Sequence, residues 1–298
     1  MTTTPTAYPY PNVPATLLQQ PFVLLAGPDV IEGDGSLNER AAETLAALVE
    51  KLQRDFPITF YFKSSFDKAN RTSLGAYRGP GLEEGLKILA RIKANTGVKV
   101  VSDIHTEEQA TAAGEVIDLI QIPAFLSRQT DLLVAAAKTG RPINLKKGQF
   151  LSPHDIIHAV KKIEETAGNA VWVTERGATF GYNNLVVDMR NIPIVQSYGY
   201  PLILDATHSV QLPGGQGGSS GGCRDYAIPL ATAAVAAGAN GFFFETHPDP
   251  NAAPCDGPNM IPLAWMERLM RTSLEMRAVL QKYHPELSET TSPQLAMA

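Results

Sequence analysis

From Phe22 onward, short runs of Val, Ile, Leu and Phe alternate with longer stretches in which apolar residues recur every three or four positions. The short runs have the length and the β-branched and aromatic content of buried strands, and the longer stretches read as amphipathic helices. Strands are predicted at 22–26, 59–63, 99–103, 119–122, 143–146, 171–174, 202–205 and 241–245. Helices are predicted at 38–53, 81–95, 107–113, 128–138, 153–166, 223–237 and 261–283, with a short, weakly helical crossover at 182–191. Ser152-Pro153 reads as a cap and first turn. Strand and helix in strict alternation predict a parallel sheet, and eight strands are the number that closes a barrel. The expected fold is therefore α/β, a single (β/α)8 TIM barrel, rather than a doubly wound open sheet. No break in composition divides the chain, so residues 21–283 are expected to form one barrel domain. A flexible Thr/Pro-rich tail is expected at 1–20 and a C-terminal tail at 284–298.

Unusual polar residues stand at or just after the C-terminal ends of the apolar runs: Asp29; Lys63 and the tract 66–73; Asp103 and His105; Gln121 and Arg128; Lys146 and Lys147; Glu175 and Arg176; Asp205 and His208; Glu245 and His247. In a parallel barrel that edge is the catalytic face. Lysine is among the residues least often buried, yet Lys63 and Lys146 extend apolar strands. Lys63, Lys68, Arg71, Arg78, Lys146, Lys147 and Arg176 would gather at one rim and bind anions there; singly, each is equally well read as a solvated strand end. His208, Glu245, Asp256 and Asp29 form a second constellation. If they converge, they either ligate a divalent cation or share protons; the bland readings are a hydrogen-bonded strand end for His208 and pairing with nearby cations for the acids. The Gly/Ser tract 213–222 lacks the Walker and dinucleotide spacings and reads either as an active-site lid or as a surface loop.

Composition narrows the classes further. With 25 Lys and Arg against 30 Asp and Glu, the net charge of −5 argues against nucleic acid as a partner. A hydrophobic fraction of 44% excludes a disordered chain. Cys223 and Cys255 are the only cysteines, too few for a disulfide framework, which suits a reducing cytoplasmic setting. Residues 1–20 contain no Lys or Arg and no long apolar run, and nowhere do eighteen apolar residues run together, so neither a secretory signal nor a membrane span is expected.

The motifs are more specific than the pattern. Lys63-Ser64-Ser65-Phe66-Asp67-Lys68-Ala69-Asn70-Arg71-Thr72-Ser73, Tyr77-Arg78-Gly79-Pro80-Gly81-Leu82-Glu83, Gln121-Ile122-Pro123-Ala124-Phe125-Leu126 and Arg128-Gln129-Thr130-Asp131-Leu132 follow one another in the first half. The second half carries Arg176-Gly177-Ala178-Thr179-Phe180-Gly181-Tyr182-Asn183-Asn184-Leu185, Asp205-Ala206-Thr207-His208-Ser209-Val210-Gln211 and Glu245-Thr246-His247-Pro248. In these motifs the chain resembles the 3-deoxy-D-manno-octulosonate 8-phosphate synthase family, from about Phe22 to about Tyr283.

The resemblance implies a homotetrameric barrel that condenses phosphoenolpyruvate with D-arabinose 5-phosphate, for lipopolysaccharide precursor synthesis. In the family's reaction the enol carbon attacks the sugar aldehyde, water adds at the neighbouring carbon, and the hemiketal phosphate loses phosphate by carbon–oxygen cleavage. Carried over by motif, the catalytic set is Lys63, Lys68, Asp103, Lys146, His208, Glu245 and Asp256. Lys63, Lys68, Lys146 and Arg176 would hold phosphoenolpyruvate, with Gln121 and Ala124 lining that pocket; Asn70, Arg71 and Thr72 would receive the sugar phosphate, and Arg128 would reach it from a neighbouring subunit.

The implied divalent metal set is Asp29, His208, Glu245 and Asp256, with Mn, Mg, Fe or Zn as candidates. Here the chain departs from the family, whose metal-requiring members carry Cys at the position of Asp29 and whose metal-free members carry Asn. An oxygen-rich set favours Mn, Mg or ferrous iron, although Asp29 could instead imitate Asn and hold a water. The stretch 208–215 resembles metal-dependent members, whereas Cys255-Asp256-Gly257-Pro258 resembles the others. Cys255, adjacent to Asp256, is read as a buried spectator rather than as a substitute thiolate ligand. The related synthase that uses erythrose 4-phosphate lacks the Ala69-Asn70 insertion, and a non-catalytic phosphosugar-binding barrel is the rival from another class.

Overall fold

The computed structural model describes residues 13–215 and 221–283. Within them, eight parallel strands follow one another in sequence order: β1 (Phe22–Gly27), β2 (Ile58–Lys63), β3 (Lys99–Asp103), β4 (Leu119–Ile122), β5 (Ile143–Lys146), β6 (Val171–Glu175), β7 (Leu202–Asp205) and β8 (Gly241–His247). β8 pairs back onto β1, Val23 opposite Gly241 and Gly27 opposite Glu245, so the sheet closes into a TIM barrel. Each expected strand forms within one or two residues of its expected bounds, because a run buried on both faces needs no alternation and is recognised by length and composition alone.

The connecting helices are α1 (Ser36–Gln53), α2 (Leu82–Thr96), α3 (Glu107–Val116), α4 (Thr130–Lys138), α5 (Ile156–Ala167), α6 (Asn191–Ser197), α7 (Ala227–Ala236) and α8 (Met266–Tyr283). On α1 the buried stripe is Ala41, Ala42, Leu45, Val49 and Leu52, the three-to-four spacing of a helix lying on a sheet. α6 corrects the expected crossover at 182–191. Residues 185–186 instead pair antiparallel with 178–179, and the helix begins later, with Pro193 in its first turn where a missing N–H costs little. Ser152 caps a turn rather than a helix: its hydroxyl accepts from Asp155 N at 3.1 Å, and α5 starts at Ile156.

Along each strand alternate residues face the lumen. Val23, Leu25, Tyr61, Val101, Leu119, Ile203 and Phe243 form its apolar plug, while Phe22, Leu24, Phe62, Val100, Ile120 and Phe242 belong to the layer packed with the helices. Two residues further along, the same parity reaches Lys63, Asp103, Gln121, Asp205 and Glu245. A charged layer therefore sits directly on an apolar one, at the C-terminal end of the barrel.

The expected tail at 1–20 needs correction at its end. Ala15–Gln19 is a helix with Leu17 and Leu18 buried. Arg277 Nη2 donates to Leu18 O and Gln20 O, both at 2.7 Å, and Asn240 Nδ2 donates to Leu17 O at 2.7 Å. The remaining tail residues, 1–12 and 284–298, lie outside those described. Among the described residues, no helix is long and apolar enough to cross a membrane.

Arg277 is buried, and burial pushes its pKa down to about 10. Arg277→Met should cost about 1–3 kcal/mol by removing charge-assisted bonds to two carbonyls, of which Leu18 O keeps Gln281 Nε2 as a donor and Gln20 O keeps no side-chain donor. Urea unfolding followed by circular dichroism measures this, and an unchanged midpoint would contradict it.

Candidate active site

The loops after β1 and β2 are pinned together before either contributes a charge. Asn38 of α1 donates to Val30 O at 2.9 Å and to Ser64 Oγ at 3.0 Å, and accepts from Glu32 N at 2.9 Å. Ser65 N donates to Asp29 O at 3.2 Å. These bonds place Asp29 beside the end of β2, where Lys63 Nζ donates to Asp29 O at 2.8 Å and approaches Asp29 Oδ1 at 3.4 Å and Glu245 Oε1 at 3.1 Å. Lys68 Nζ pairs with Asp29 Oδ1 and lies 3.7 Å from Glu245 Oε1. The loop carrying Lys68 is closed by Lys68 N to Arg78 O at 2.7 Å and by Tyr77 Oη to Ile31 O at 2.9 Å. It needs glycine at Gly79, where φ is +105° and a Cβ would meet Phe66 O at 2.7 Å.

Of these side chains, Lys63, Lys68, Tyr77 and Glu245 line a cavity of about 960 Å³ at the C-terminal face. It brings together Lys63, Lys68, Asn70, Arg71, Thr72, Asp103, Gln121, Ala124, Lys146, Arg176, His208, Glu245 and Asp256. Two expected site residues are not among its lining. Asp29 lies fully buried behind the lysines, and Arg128 is exposed. Of the seven expected rim cations, Arg78 turns outward to Asp67. Lys147 is buried, donating to Leu151 O at 2.9 Å and lying 3.4 Å from Glu175 Oε2. His247 also leaves the rim, its Nε2 3.1 Å from Glu32 Oε1. The flanks of the Gly/Ser tract, Pro213, Gly214 and Gly222, line the cavity; residues 216–220 lie outside those described.

The electrostatics follow from burial set against pairing. Burial works against the charge on Lys68, but Asp29 and Glu245 raise its pKa well above the usual lysine value. Burial likewise opposes ionisation of Glu245, yet His208, Lys63 and Lys68 hold it well below the ordinary carboxylate range. Asp103 accepts from Ser65 Oγ and lies 2.9 Å from His105 Nε2; against burial, His105 and the lysines pull its pKa down. Arg176 donates from Nη2 to Gln211 Oε1 at 2.9 Å, while its buried Nη1 has no protein partner. That unspent donor on a cavity-lining guanidinium suits an anionic ligand.

His208, Glu245 and Asp256 converge, one ligand atom from each lying within 4.8 Å of the others. Asp256 takes φ +49°, a left-handed position that a short polar side chain tolerates. Burial, then Asp29 and Glu245, push its pKa up, and Glu245 Oε2 is buried with no hydrogen-bond partner. One imidazole and two carboxylates with surplus negative charge fit a divalent cation. Asp29 is engaged differently from the expected fourth ligand: its carboxylate takes the two lysines on Oδ1 and the Cys255 thiol, at 2.7 Å, on Oδ2. Burial and Asp29 push the Cys255 pKa up, which keeps the thiol protonated.

Sequence reasoning passed over Gln149, Gln211 and Tyr77, all of which line the cavity. Gln211 and Tyr77 stand inside the quoted motifs, but their neutral side chains gave no charge signal. Gln149 follows Lys146 by three residues, and its buried Oε1 has no partner.

The DAHP synthetase I family matches residues 18–282. The 2-dehydro-3-deoxyphosphooctonate aldolase of Desulfotalea psychrophila is 52% identical over 281 residues, covering 94% of this chain and 99% of that protein. The proteins of the same name from Trichlorobacter lovleyi and Campylobacter jejuni are each 54% identical, over 87% and 88% of this chain and 94% and 98% of theirs. With the barrel, the cationic cavity and the matched length agreeing, this chain belongs to the DAHP synthetase I family, among the 2-dehydro-3-deoxyphosphooctonate aldolases.

Proposed function

We propose that this protein condenses phosphoenolpyruvate with D-arabinose 5-phosphate and water to give 3-deoxy-D-manno-octulosonate 8-phosphate and inorganic phosphate, a step of lipopolysaccharide precursor synthesis. The observation that carries the reading is the convergence of Lys63, Lys68, Lys146 and Arg176 on one cavity that also contains a His/Glu/Asp cluster. Two phosphorylated substrates repel each other, and cations held in a low-dielectric pocket offset that repulsion and fix the reacting carbons near one another. Lys63, Lys68, Lys146 and Arg176 take the phosphate and carboxylate of phosphoenolpyruvate, with Gln121 and Ala124 as its wall. Gln211 orients the Arg176 fork. Asn70, Arg71 and Thr72 receive the sugar phosphate. Lys68-Ala69-Asn70-Arg71-Thr72 favours the five-carbon sugar over erythrose 4-phosphate.

Arg128 is exposed and stands apart from its own chain's cavity, which suits a role in a neighbouring subunit's site within a homotetramer. Exposed Phe125, Phe150 and Phe180, on loops that follow β4, β5 and β6, give that assembly apolar surface to bury. Both cysteines are free, in keeping with a cytoplasmic setting. His208, Glu245 and Asp256 would hold a divalent metal, while the Asp29 carboxylate stays with Lys63, Lys68 and Cys255. A metal there would supply Lewis acidity toward a substrate oxygen.

Phosphate release from phosphoenolpyruvate with each aldose phosphate tests the reading, and turnover with erythrose 4-phosphate alone would overturn it. Lys146→Ala and Arg176→Ala should each lower kcat/KM more than about tenfold, since charge-assisted contacts are worth roughly 1.5–3 kcal/mol. Wild-type rates in both would refute their assignment. Exhaustive chelation should abolish turnover, with Mn, Mg or ferrous iron restoring it better than Zn. Undiminished turnover of metal-free enzyme would leave Asp29 in the role that Asn plays in metal-free relatives.

A further inference from the structure

Asp205, the last residue of β7, is fully buried and does not line the cavity, yet it touches two side chains that do. Its Oδ2 pairs with Lys146 Nζ and lies 2.7 Å from His208 Nδ1, off the line of a hydrogen bond. Its Oδ1 accepts from Thr207 Oγ1 at 3.0 Å and from His208 N at 2.8 Å. Thr207 Oγ1 in turn accepts from Glu245 N at 3.1 Å, which ties this carboxylate to the backbone of β8. An ionised group placed so has no ligand of its own to meet, and its charge acts on its neighbours.

Lys146 is the neighbour that needs it. Its ammonium lies 3.4 Å above the Phe243 ring, at the boundary between the apolar plug and the charged layer. The groups that act on it are Asp205 from β7, Glu245 and Phe243 from β8 and Lys63 from β2. We propose that Asp205 is a positioning residue for the reaction, holding Lys146 at the point where it meets phosphoenolpyruvate, with His208 bracing the other side of the carboxylate. The inference rests on the function proposed above and adds a residue that never reaches the substrate.

The sign of the effect is fixed by charge. Burial lowers the pKa of Lys146, and Asp205 and Glu245 oppose that fall. Asp205→Asn keeps the shape and the Oδ1 acceptor but deletes the nearer anion, so the lysine loses its proton at lower pH. Asp205→Glu keeps the anion and displaces it by one methylene.

The test is calorimetric titration with phosphoenolpyruvate alone, from neutral pH upward past the ligand's own phosphate ionisation, with thermal melting of each variant as the check on folding. Asp205→Asn should weaken phosphoenolpyruvate about tenfold at neutral pH, as expected for a misplaced charge-assisted contact. The alkaline loss of affinity should begin at lower pH than in wild type. Asp205→Glu should weaken binding while leaving the alkaline limb where it is in wild type, a separation that a purely structural role would not produce. Should Asp205→Asn not fold, wild-type affinity in Asp205→Glu would overturn the assignment and weakened affinity with an unmoved alkaline limb would support it. If wild type itself fails to bind phosphoenolpyruvate, the proposed function falls. If wild type binds and Asp205→Asn matches it at every pH, only the role of Asp205 falls.

Discussion

The upper barrel depends on keeping several ionised side chains buried side by side. Asp29, Lys63, Asp205 and Glu245 are all essentially inaccessible, and Lys68, Lys146 and Arg176 are nearly so. Isolated, any one of them would cost several kcal/mol to desolvate, and a lysine or carboxylate would neutralise instead. Opposite charges lie within reach of the lysines: Lys63 and Lys68 sit between Asp29 and Glu245, and Lys146 sits against Asp205. The arrangement is weak evidence for stability, since such pairs rarely repay their desolvation. Its value is that the cations are already stripped of water and fixed in direction before an anionic ligand arrives.

The barrel supplies what the network needs. Parallel closure aligns the C-terminal ends of eight strands, and the two-residue repeat makes Lys63, Asp103, Gln121 and Glu245 neighbours in one layer although up to 182 residues separate them in sequence. Beneath that layer the apolar plug lowers the local dielectric, which strengthens every pair above it. Phe243 belongs to the plug and also lies under the ammonium groups of Lys63 and Lys146, at 5.4 and 3.4 Å.

Asp29 shows how one carboxylate gathers such a network. A thiolate there would be a soft metal ligand, whereas a carboxylate is also a good partner for lysine. In this chain Lys63, Lys68 and Cys255 all turn to it. The triad of His208, Glu245 and Asp256 forms without it, and burial, with Asp29 and Glu245 close by, pushes the Asp256 pKa up. The sequence showed that residue 29 was unusual; only the three-dimensional placing of Lys68 and Cys255 showed where its charge goes.

The strands were legible because continuous apolar runs of four to seven residues, ended by polar ones, have few other uses in an α/β chain. The sixth crossover and the helix at 15–19 were not, because short elements are stabilised by what they pack against rather than by their own periodicity. The cavity-lining residues were legible as charges at strand ends and as family motifs. Charge alone did not separate Lys146, which reaches the cavity, from Lys147, its buried neighbour that pairs with Glu175. Neither did it set Arg71, in the cavity, apart from Arg78, held outside by Asp67. By itself the sequence determined the order of elements and the chemical stock at the barrel's mouth, since both are written in local pattern. Which charges meet was decided by barrel closure and side-chain direction, because an ion pair depends on distances of a few ångströms between residues far apart in the chain.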